Sequence, residues 1–305
     1  MMIFKHCNKD YPIKLRVLCG KFLVCLCTGL CFFASCSSVP KRPLEVFVNR
    51  NMAANQLDLA NRTANQGRYS DALMILEDAR RFAESTDDPP LLIKTSLTRG
   101  NILFSMGQHG EAFENWNAAL AEGENAGLGN LTSLARISIC RGNLVLLMGS
   151  GNKTAVEDIR NQVNRHTASI KSDPAAQASG YLVLGMAEKE LQRFREAERA
   201  LRKALDLHEK NRYLEEAAYD WFFIASVYSV EGRYNDALTA LKTSISLDRR
   251  AENGFGLASS WQAMGEVYLK AGSRGDAADA FRRAAAIFWS IDLDTEAAAA
   301  EAKAR

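Results

Sequence analysis

The sequence contains little cysteine and proline outside its first 45 residues, and this scarcity limits the possible folds. Six of the seven cysteines lie within residues 1–36, and only Cys140 follows them. One cysteine has no partner in the rest of the chain, so we expect no internal disulfide framework. Only six prolines occur in 305 residues, whereas alanine and leucine are abundant, which favours a helical protein.

Side chains that commonly perform catalysis or bind metals are also scarce. Three histidines occur beyond residue 45, at positions 109, 166 and 208, and none has the spacing of metal ligands. The segment 149–154 departs from a phosphate-binding loop, because Asn152 stands before Lys153. Cys140 lies in an apolar segment and is predicted to be a buried packing residue rather than a nucleophile. We therefore expect no enzymatic activity, no metal and no cofactor.

Positive charge is concentrated in the first 35 residues, which contain five basic residues and one acidic residue. The whole chain has 38 Lys and Arg residues against 36 Asp and Glu residues, so 33 basic and 35 acidic residues remain beyond residue 35. A surface that binds nucleic acid usually needs a strongly basic face. The near-neutral remainder predicts that nucleic acid is not a partner.

The N-terminal segment has the pattern of an export signal. Basic residues end at Lys21, and the apolar or small residues 22–33 follow. Twelve such residues are too few for a transmembrane helix, which needs about 20, but they are typical of the apolar region of a signal peptide. The next small residues lead to Cys36, so the sequence predicts cleavage near this position.

The four residues 33–36, Phe-Ala-Ser-Cys, resemble a bacterial lipobox, although Phe33 replaces the usual leucine. Relaxed boxes of this kind are familiar among spirochaetal lipoproteins. The resemblance implies that residues 1–35 are a lipoprotein signal peptide and that Cys36 is acylated by fatty acids such as palmitate. Residues 36–50 would then be a short tether, kept extended by Pro40 and Pro43. An ordinary or uncleaved signal peptide with an unmodified Cys36 is the alternative.

A pattern of small and aromatic residues recurs about every 40 residues beyond position 50. A small residue is followed seven positions later by a turn residue, then by an aromatic residue and an alanine. A degenerate third copy keeps Gly142 and Gly149 but is shifted by one residue at Ala155. The other five copies are Ala60, Gly67, Tyr69 and Ala72; Gly100, Gly107, His109 and Ala112; Gly185, Gln192, Phe194 and Ala197; Ala225, Gly232, Tyr234 and Ala237; and Gly265, Gly272, Arg274 and Ala277.

The last two copies also contain Trp221 with Tyr228, and Trp261 with Tyr268, at the spacing of the first helix of a tetratricopeptide repeat. The whole pattern resembles that family, particularly the long repeats of kinesin light chains and bacterial peptide-sensing regulators. The resemblance implies an all-α, right-handed α-solenoid over residues 51–305. It predicts six repeats that start near residues 53, 93, 135, 178, 218 and 258, and a C-terminal capping helix with Asp294 as its N-cap. We place the residues beyond the usual 34 between one repeat and the next.

In this family the first helix of each repeat lines a concave groove, usually through positions 2, 5, 9 and 12. These positions place Asn61, Asn101 and Asn143 at the same site in three successive repeats. A ladder of amides supplies donors and acceptors for a peptide backbone, although such an Asn also commonly binds a neighbouring helix. Further groove residues predicted to bind a partner are Lys94 and Arg136, for a carboxylate, and Tyr219 and Phe222, for apolar side chains.

The resemblances together predict a non-catalytic scaffold, lipid-anchored to a membrane of the bacterial cell envelope on its periplasmic face or at the outer membrane. Its concave groove would bind a protein or peptide partner. A small-molecule-binding or transporter-associated periplasmic component, or a surface adhesin, is the alternative. The sequence does not indicate the oligomeric state or the identity of the partner.

Overall fold

The computed structural model describes residues 46–305, so the proposed signal peptide and Cys36 lie outside the described residues. Within this range thirteen helices follow one another, and none is long and apolar enough to cross a membrane. The helices are α1 (Val48–Asn65), α2 (Tyr69–Glu84), α3 (Pro89–Ser105), α4 (His109–Asn125), α5 (Gly129–Leu147), α6 (Lys153–Ser169), α7 (Pro174–Glu190), α8 (Phe194–Lys210), α9 (Leu214–Val230), α10 (Tyr234–Ala251), α11 (Gly254–Lys270), α12 (Arg274–Ser290) and α13 (Asp294–Lys303).

The first twelve helices form six antiparallel pairs, and α13 packs against α12 at the C-terminal end. The predicted α-solenoid of six helix-turn-helix repeats with a capping helix is therefore confirmed. The odd-numbered helices of successive repeats contact each other, which places them on the inner side of the solenoid. Each pair buries its apolar stripe against the next pair, so the repeats depend on their neighbours for stability.

Local sequence explains where the helices begin and reverse. The side chains of Asp88 and Asp173 accept hydrogen bonds from backbone N–H groups in the first turns of α3 and α7. Proline follows each of these aspartates, where its missing N–H costs nothing. The turn position within a repeat has a positive φ of 80° at Gly67 and 79° at Gly107, and in the fourth repeat Gln192 occupies it at 61°.

Small residues on the inner helices allow large side chains of the outer helices to approach closely, as predicted. Trp116 on α4 is fully buried, with Gly100 of α3 on one side and Gly142 of α5 on the other. A Cβ added at Gly100 would lie 2.5 Å from the Trp116 ring, and one at Gly142 would lie 2.6 Å from it. The same relation joins Gly265 to Phe281 in the last repeat.

Two expectations about the helix boundaries are wrong. The residues beyond the usual repeat length extend the helices themselves, which span 16–19 residues in α1–α12, instead of forming longer connections between repeats. The capping helix also begins differently, because Leu293 occupies its N-cap and Asp294 is its first residue. The acidic side chain of Asp294 still lies in the first turn, where it interacts favourably with the helix dipole.

The first repeat touches the last part of the solenoid. Helix α1 contacts α11, and Asn65 at the end of α1 donates a hydrogen bond to the carboxylate of Glu215 on α9. Gly67 lies so close to Leu293 that an added Cβ would be 2.7 Å from Leu293 Cδ1. Because the two ends meet, the inner helices surround a central groove that the first repeat helps to close.

Candidate functional site

The three asparagines of the predicted ladder have different environments. Asn61 and Asn143 are exposed on α1 and α5, whereas Asn101 is half-buried on α3. Its Oδ1 accepts hydrogen bonds from Trp116 Nε1 at 3.2 Å and from Arg141 Nη2 at 2.7 Å. The carbonyl of Asn101 thus joins neighbouring helices, which is the alternative considered for this position. A role of Asn61 and Asn143 in binding remains a prediction.

The two basic residues predicted beside the ladder lie on two different inner helices. Lys94 is exposed on α3, and Arg136 on α5 forms an ion pair with Glu124, with Nη2 2.5 Å from Oε1. Arg136 would have to leave this carboxylate to bind one from a ligand. Exposed pairs of this kind contribute only about 0–1 kcal/mol, so such an exchange is not costly.

Arg141 is a groove cation that the sequence patterns did not indicate. Its guanidinium is bound to Asn101, lies 5.8 Å from the centre of the Trp116 ring, and forms no ion pair among residues 46–305. Burial lowers the pKa of Arg141 and raises the pKa of the Tyr219 phenol, and each group opposes the shift of the other. Tyr219 nevertheless exposes 48% of its surface, so part of its ring is accessible to a partner.

Three aromatic rings form a partly exposed platform on α9. Tyr219 and Phe222 stack with parallel rings 6.3 Å apart, and Phe223 meets Tyr219 edge-on at 4.8 Å. Phe222 and Phe223 are half-buried. The predicted groove residues Tyr219 and Phe222 are thus brought together on one surface, where their rings offer large apolar contact area to a partner.

A pocket of about 230 Å³ adjoins this platform, between the inner helices of the last three repeats. Its walls are Phe222 and other apolar side chains, and its polar groups come from three different helices. The polar lining residues are Lys189 of α7, Ser226 and Ser229 of α9, and Glu266 and Lys270 of α11.

Hydroxyl groups hold both lysines of the pocket. Lys189 Nζ donates to Ser226 Oγ at 3.1 Å, and Lys270 Nζ donates to Ser229 Oγ at 3.0 Å. Glu266 instead pairs with Lys303 of the capping helix, with Nζ 2.5 Å from Oε1. Burial lowers the pKa of Lys189, and the nearby charge of Lys270 adds to this shift, although Glu190 opposes it.

The sequence patterns identified only part of this pocket. Lys189, Ser226, Ser229 and Glu266 occupy groove positions 9 or 12 of their repeats, so the repeat register contains a usable signal for them. Lys270 lies one position beyond the pattern in the last repeat and was missed. No spacing in the sequence indicates that Lys189 and Lys270 share a pocket, because they lie on α7 and α11, on either side of α9, and line the same space only after the repeats stack.

Three side chains that could react, Cys140, His208 and Asp220, are buried in packing positions. Cys140 is 5% exposed, and burial raises the pKa of its thiol to about 11, which disfavours the nucleophilic thiolate. His208 Nδ1 lies 2.6 Å from Asp220 Oδ2 in the interface of α8 and α9, and both side chains are buried. These groups join helices and do not face the platform or the pocket lining.

Comparisons with known proteins agree with this architecture. Models of the tetratricopeptide repeat match residues 178–211 and 215–288, so these segments are recognised repeats of that type. No curated protein sequence matches the chain.

Several solved structures have a similar fold. One is a Rap protein complexed with Competence and Sporulation Factor, with a TM-score of 0.54 and 18% identity over 81% of this chain and 68% of that chain. Another is BtubC from P. vanneervenii, with a TM-score of 0.50 and 17% identity over 79% and 92% of the two chains. A third is a signal-transduction ATPase with a tetratricopeptide repeat sensor from Pyrococcus horikoshii, with a TM-score of 0.55 and 13% identity over 86% and 44%. At these identities the similarity establishes the fold alone.

Proposed function

We propose that this chain is a lipid-anchored scaffold of the bacterial cell envelope that binds a protein or peptide partner in its central groove. Tetratricopeptide repeats generally mediate protein–protein interaction, and the recognised repeats here include the helices that carry Tyr219 and the pocket. The observation that supports the proposal most directly is the partly exposed aromatic platform of α9. A partly exposed cluster of aromatic rings beside a pocket is typical of an interaction site.

Binding, and not catalysis, is the function that suits this groove. Its polar groups are lysines held by serine hydroxyls, an arginine held by an amide, and a glutamate held by a lysine. The contact of Lys189 with Ser226 combines residue types that can form a catalytic dyad, but the Ser226 hydroxyl donates to the carbonyl oxygen of Phe223 at 2.7 Å, so its proton is not directed at the amine. The lysines and the arginine can donate hydrogen bonds to a bound segment, and the apolar walls of the pocket can contact its apolar side chains.

Partner capture from intact envelopes tests the proposed interaction. Chemical crosslinking followed by purification of the full chain is expected to recover a reproducible partner. In Tyr219→Ala/Phe222→Ala we expect recovery to fall about tenfold or more, because truncated aromatic contacts commonly dominate the binding energy. Met74→Ala/Trp289→Ala is the matched control, since it removes exposed apolar side chains from the outer helices α2 and α12. Absence of any reproducible partner, or an equal loss of recovery in both variants, would contradict the proposal that the partner binds in the groove.

The same capture distinguishes the two halves of the groove. A triple variant with alanine at Asn61, Asn101 and Asn143 is expected to reduce recovery of the partner, because the groove loses three amides that can hydrogen-bond a peptide backbone. Because Asn101 also holds Trp116 and Arg141, its single variant must be compared with the triple variant. A loss seen equally in Asn101→Ala alone would assign the effect to packing and not to the ladder.

Lipid attachment is tested at Cys36. We expect Cys36→Ala to abolish incorporation of labelled fatty acid and to release the solenoid from the membrane fraction, because the anchor depends on acyl chains. Cys31→Ala, within the proposed signal peptide, should leave both the labelling and the membrane association unchanged. Unaltered labelling and membrane association in Cys36→Ala would contradict the lipobox assignment.

A further inference from the structure

The pocket beside the aromatic platform has an excess of positive charge. Lys189 and Lys270 both project into its lining, and neither pairs with a carboxylate within residues 46–305. The carboxylate of the lining, Glu266, is already engaged by Lys303. Two ammonium groups that donate hydrogen bonds to neutral hydroxyls leave further donors available for an anion.

The size and walls of the pocket limit the form of that anion. A volume of about 230 Å³ is below the roughly 300–1,000 Å³ of sites that enclose a whole drug-sized ligand. Apolar side chains from three helices, Phe222, Leu241 and Val267 among them, form much of the wall. The space thus suits one residue of a longer ligand, with an apolar portion and a charged end.

The platform gives the rest of such a ligand a place to lie. Phe222 belongs both to the pocket wall and to the stack with Tyr219, so the two surfaces are continuous. Lys189 Nζ also lies 6.0 Å from the centre of the Phe223 ring, which links the cation to the aromatic cluster. A peptide segment that crosses the rings therefore arrives at the two lysines.

We propose that Lys189 and Lys270, with Ser226 and Ser229, form a carboxylate-binding pocket that anchors a partner peptide lying across Tyr219 and Phe222. This inference rests on the proposed peptide-binding function and specifies its chemistry. The carboxylate comes from either an acidic side chain or the free C-terminus of the peptide. In both cases its oxygens accept charge-assisted hydrogen bonds from the lysines, and the serines keep the ammonium groups in place.

Random octapeptide libraries provide the test, with the full chain purified from membranes in detergent and immobilised. Four libraries combine a free or amidated C-terminus with the presence of Asp and Glu or their replacement by Asn and Gln. Retained peptides are quantified by mass spectrometry. We expect retention of the library without any carboxylate to be about tenfold or more below that of the others. Two libraries contain only one kind of carboxylate, either acidic side chains or a free C-terminus. The one of these two that is retained identifies the source of the carboxylate.

The variant Lys189→Gln/Lys270→Gln is expected to remove this preference and to retain all four libraries equally through the aromatic platform. Lys153→Gln/Lys242→Gln removes the same charge from exposed residues of α6 and α10 and should keep the preference. Equal retention of all libraries by the wild type, or an unchanged preference in Lys189→Gln/Lys270→Gln, would overturn the carboxylate pocket and leave peptide binding intact. Retention of no peptide by the wild type would contradict the proposed function itself.

Discussion

The carboxyl group of Asp248 lies in the interface of the fifth and sixth repeats with 2% of the residue exposed. Asn253 Nδ2 donates to its Oδ1 at 2.9 Å, and Ser244, which also contacts Ser260, lies 3.5 Å from its Oδ2. Burial raises the pKa of Asp248 to about 7, although these hydrogen bonds oppose the shift. The folded protein therefore holds this proton more tightly than the unfolded chain does.

The pKa of Asp248 predicts the direction of one pH effect on stability. Because the folded pKa of about 7 lies above the unfolded value of 3.8, the free energy of unfolding falls as pH rises between these values. From pH 5 to pH 8, we expect the wild type to lose on the order of 2–3 kcal/mol relative to Asp248→Asn. Urea unfolding at both pH values measures this difference.

The amide of Asp248→Asn keeps an acceptor for Asn253 and gains a donor toward Ser244, so the variant is a close neutral match. The buried Asp220 carboxyl, whose pKa burial raises to about 6, shifts stability in the same direction in both proteins and cancels in the comparison. Parallel pH dependence of the two proteins would show that Asp248 stays ionised in the folded state.

At the scale of helices, glycines on the inner helices allow the inner and outer helices of one repeat to approach closely. Gly100→Ala would place a Cβ 2.5 Å from Trp116 Cδ1 and 3.0 Å from the Ala112 carbonyl oxygen. Trp116 is fully buried between α3 and α5, so it has little room to move. We expect a loss of about 1–3 kcal/mol in the free energy of unfolding, measured by urea denaturation.

Gly110→Ala is the matched control for this substitution. Gly110 lies in the first turn of α4, and a Cβ there meets no atom within 4 Å. Alanine is the better helix former, so this variant should be neutral or more stable by up to about 1 kcal/mol. A similar small effect in Gly100→Ala would mean that the helices separate easily and that close approach contributes little.

The helices also show which features the sequence pattern could predict. Small residues recur at the crossing points and turn residues recur between paired helices, so the number and pairing of helices follow from the repeat. The extra turns of each helix lie at positions that carry no repeated residue, and their length could not be predicted. Asn101 was predicted to face a ligand, but its partner Arg141 belongs to the next repeat and becomes its neighbour only after stacking.

At the scale of the whole solenoid, contact between its ends determines how a partner reaches the groove. The hydrogen bond from Asn65 to Glu215 and the packing of Gly67 on Leu293 join the first repeat to the fifth repeat and to the turn before α13. Burial raises the pKa of Glu215, as expected for a carboxyl group enclosed at such a contact. A partner must therefore enter along the axis of the groove, or the first repeat must move away.

Photocrosslinking from Asn65 tests this contact directly. With p-benzoylphenylalanine in place of Asn65, irradiation of the full chain is expected to give an intramolecular crosslink to the beginning of α9, near Glu215, identified by mass spectrometry of the digested protein. Ser105 is the matched control, because it also ends an inner helix and is exposed, yet lies near Tyr69 of the first repeat. Its crosslinks should stay within neighbouring repeats. If the Asn65 probe also reacted only with neighbouring repeats, the solenoid would be open in solution, and the groove would be accessible from its side.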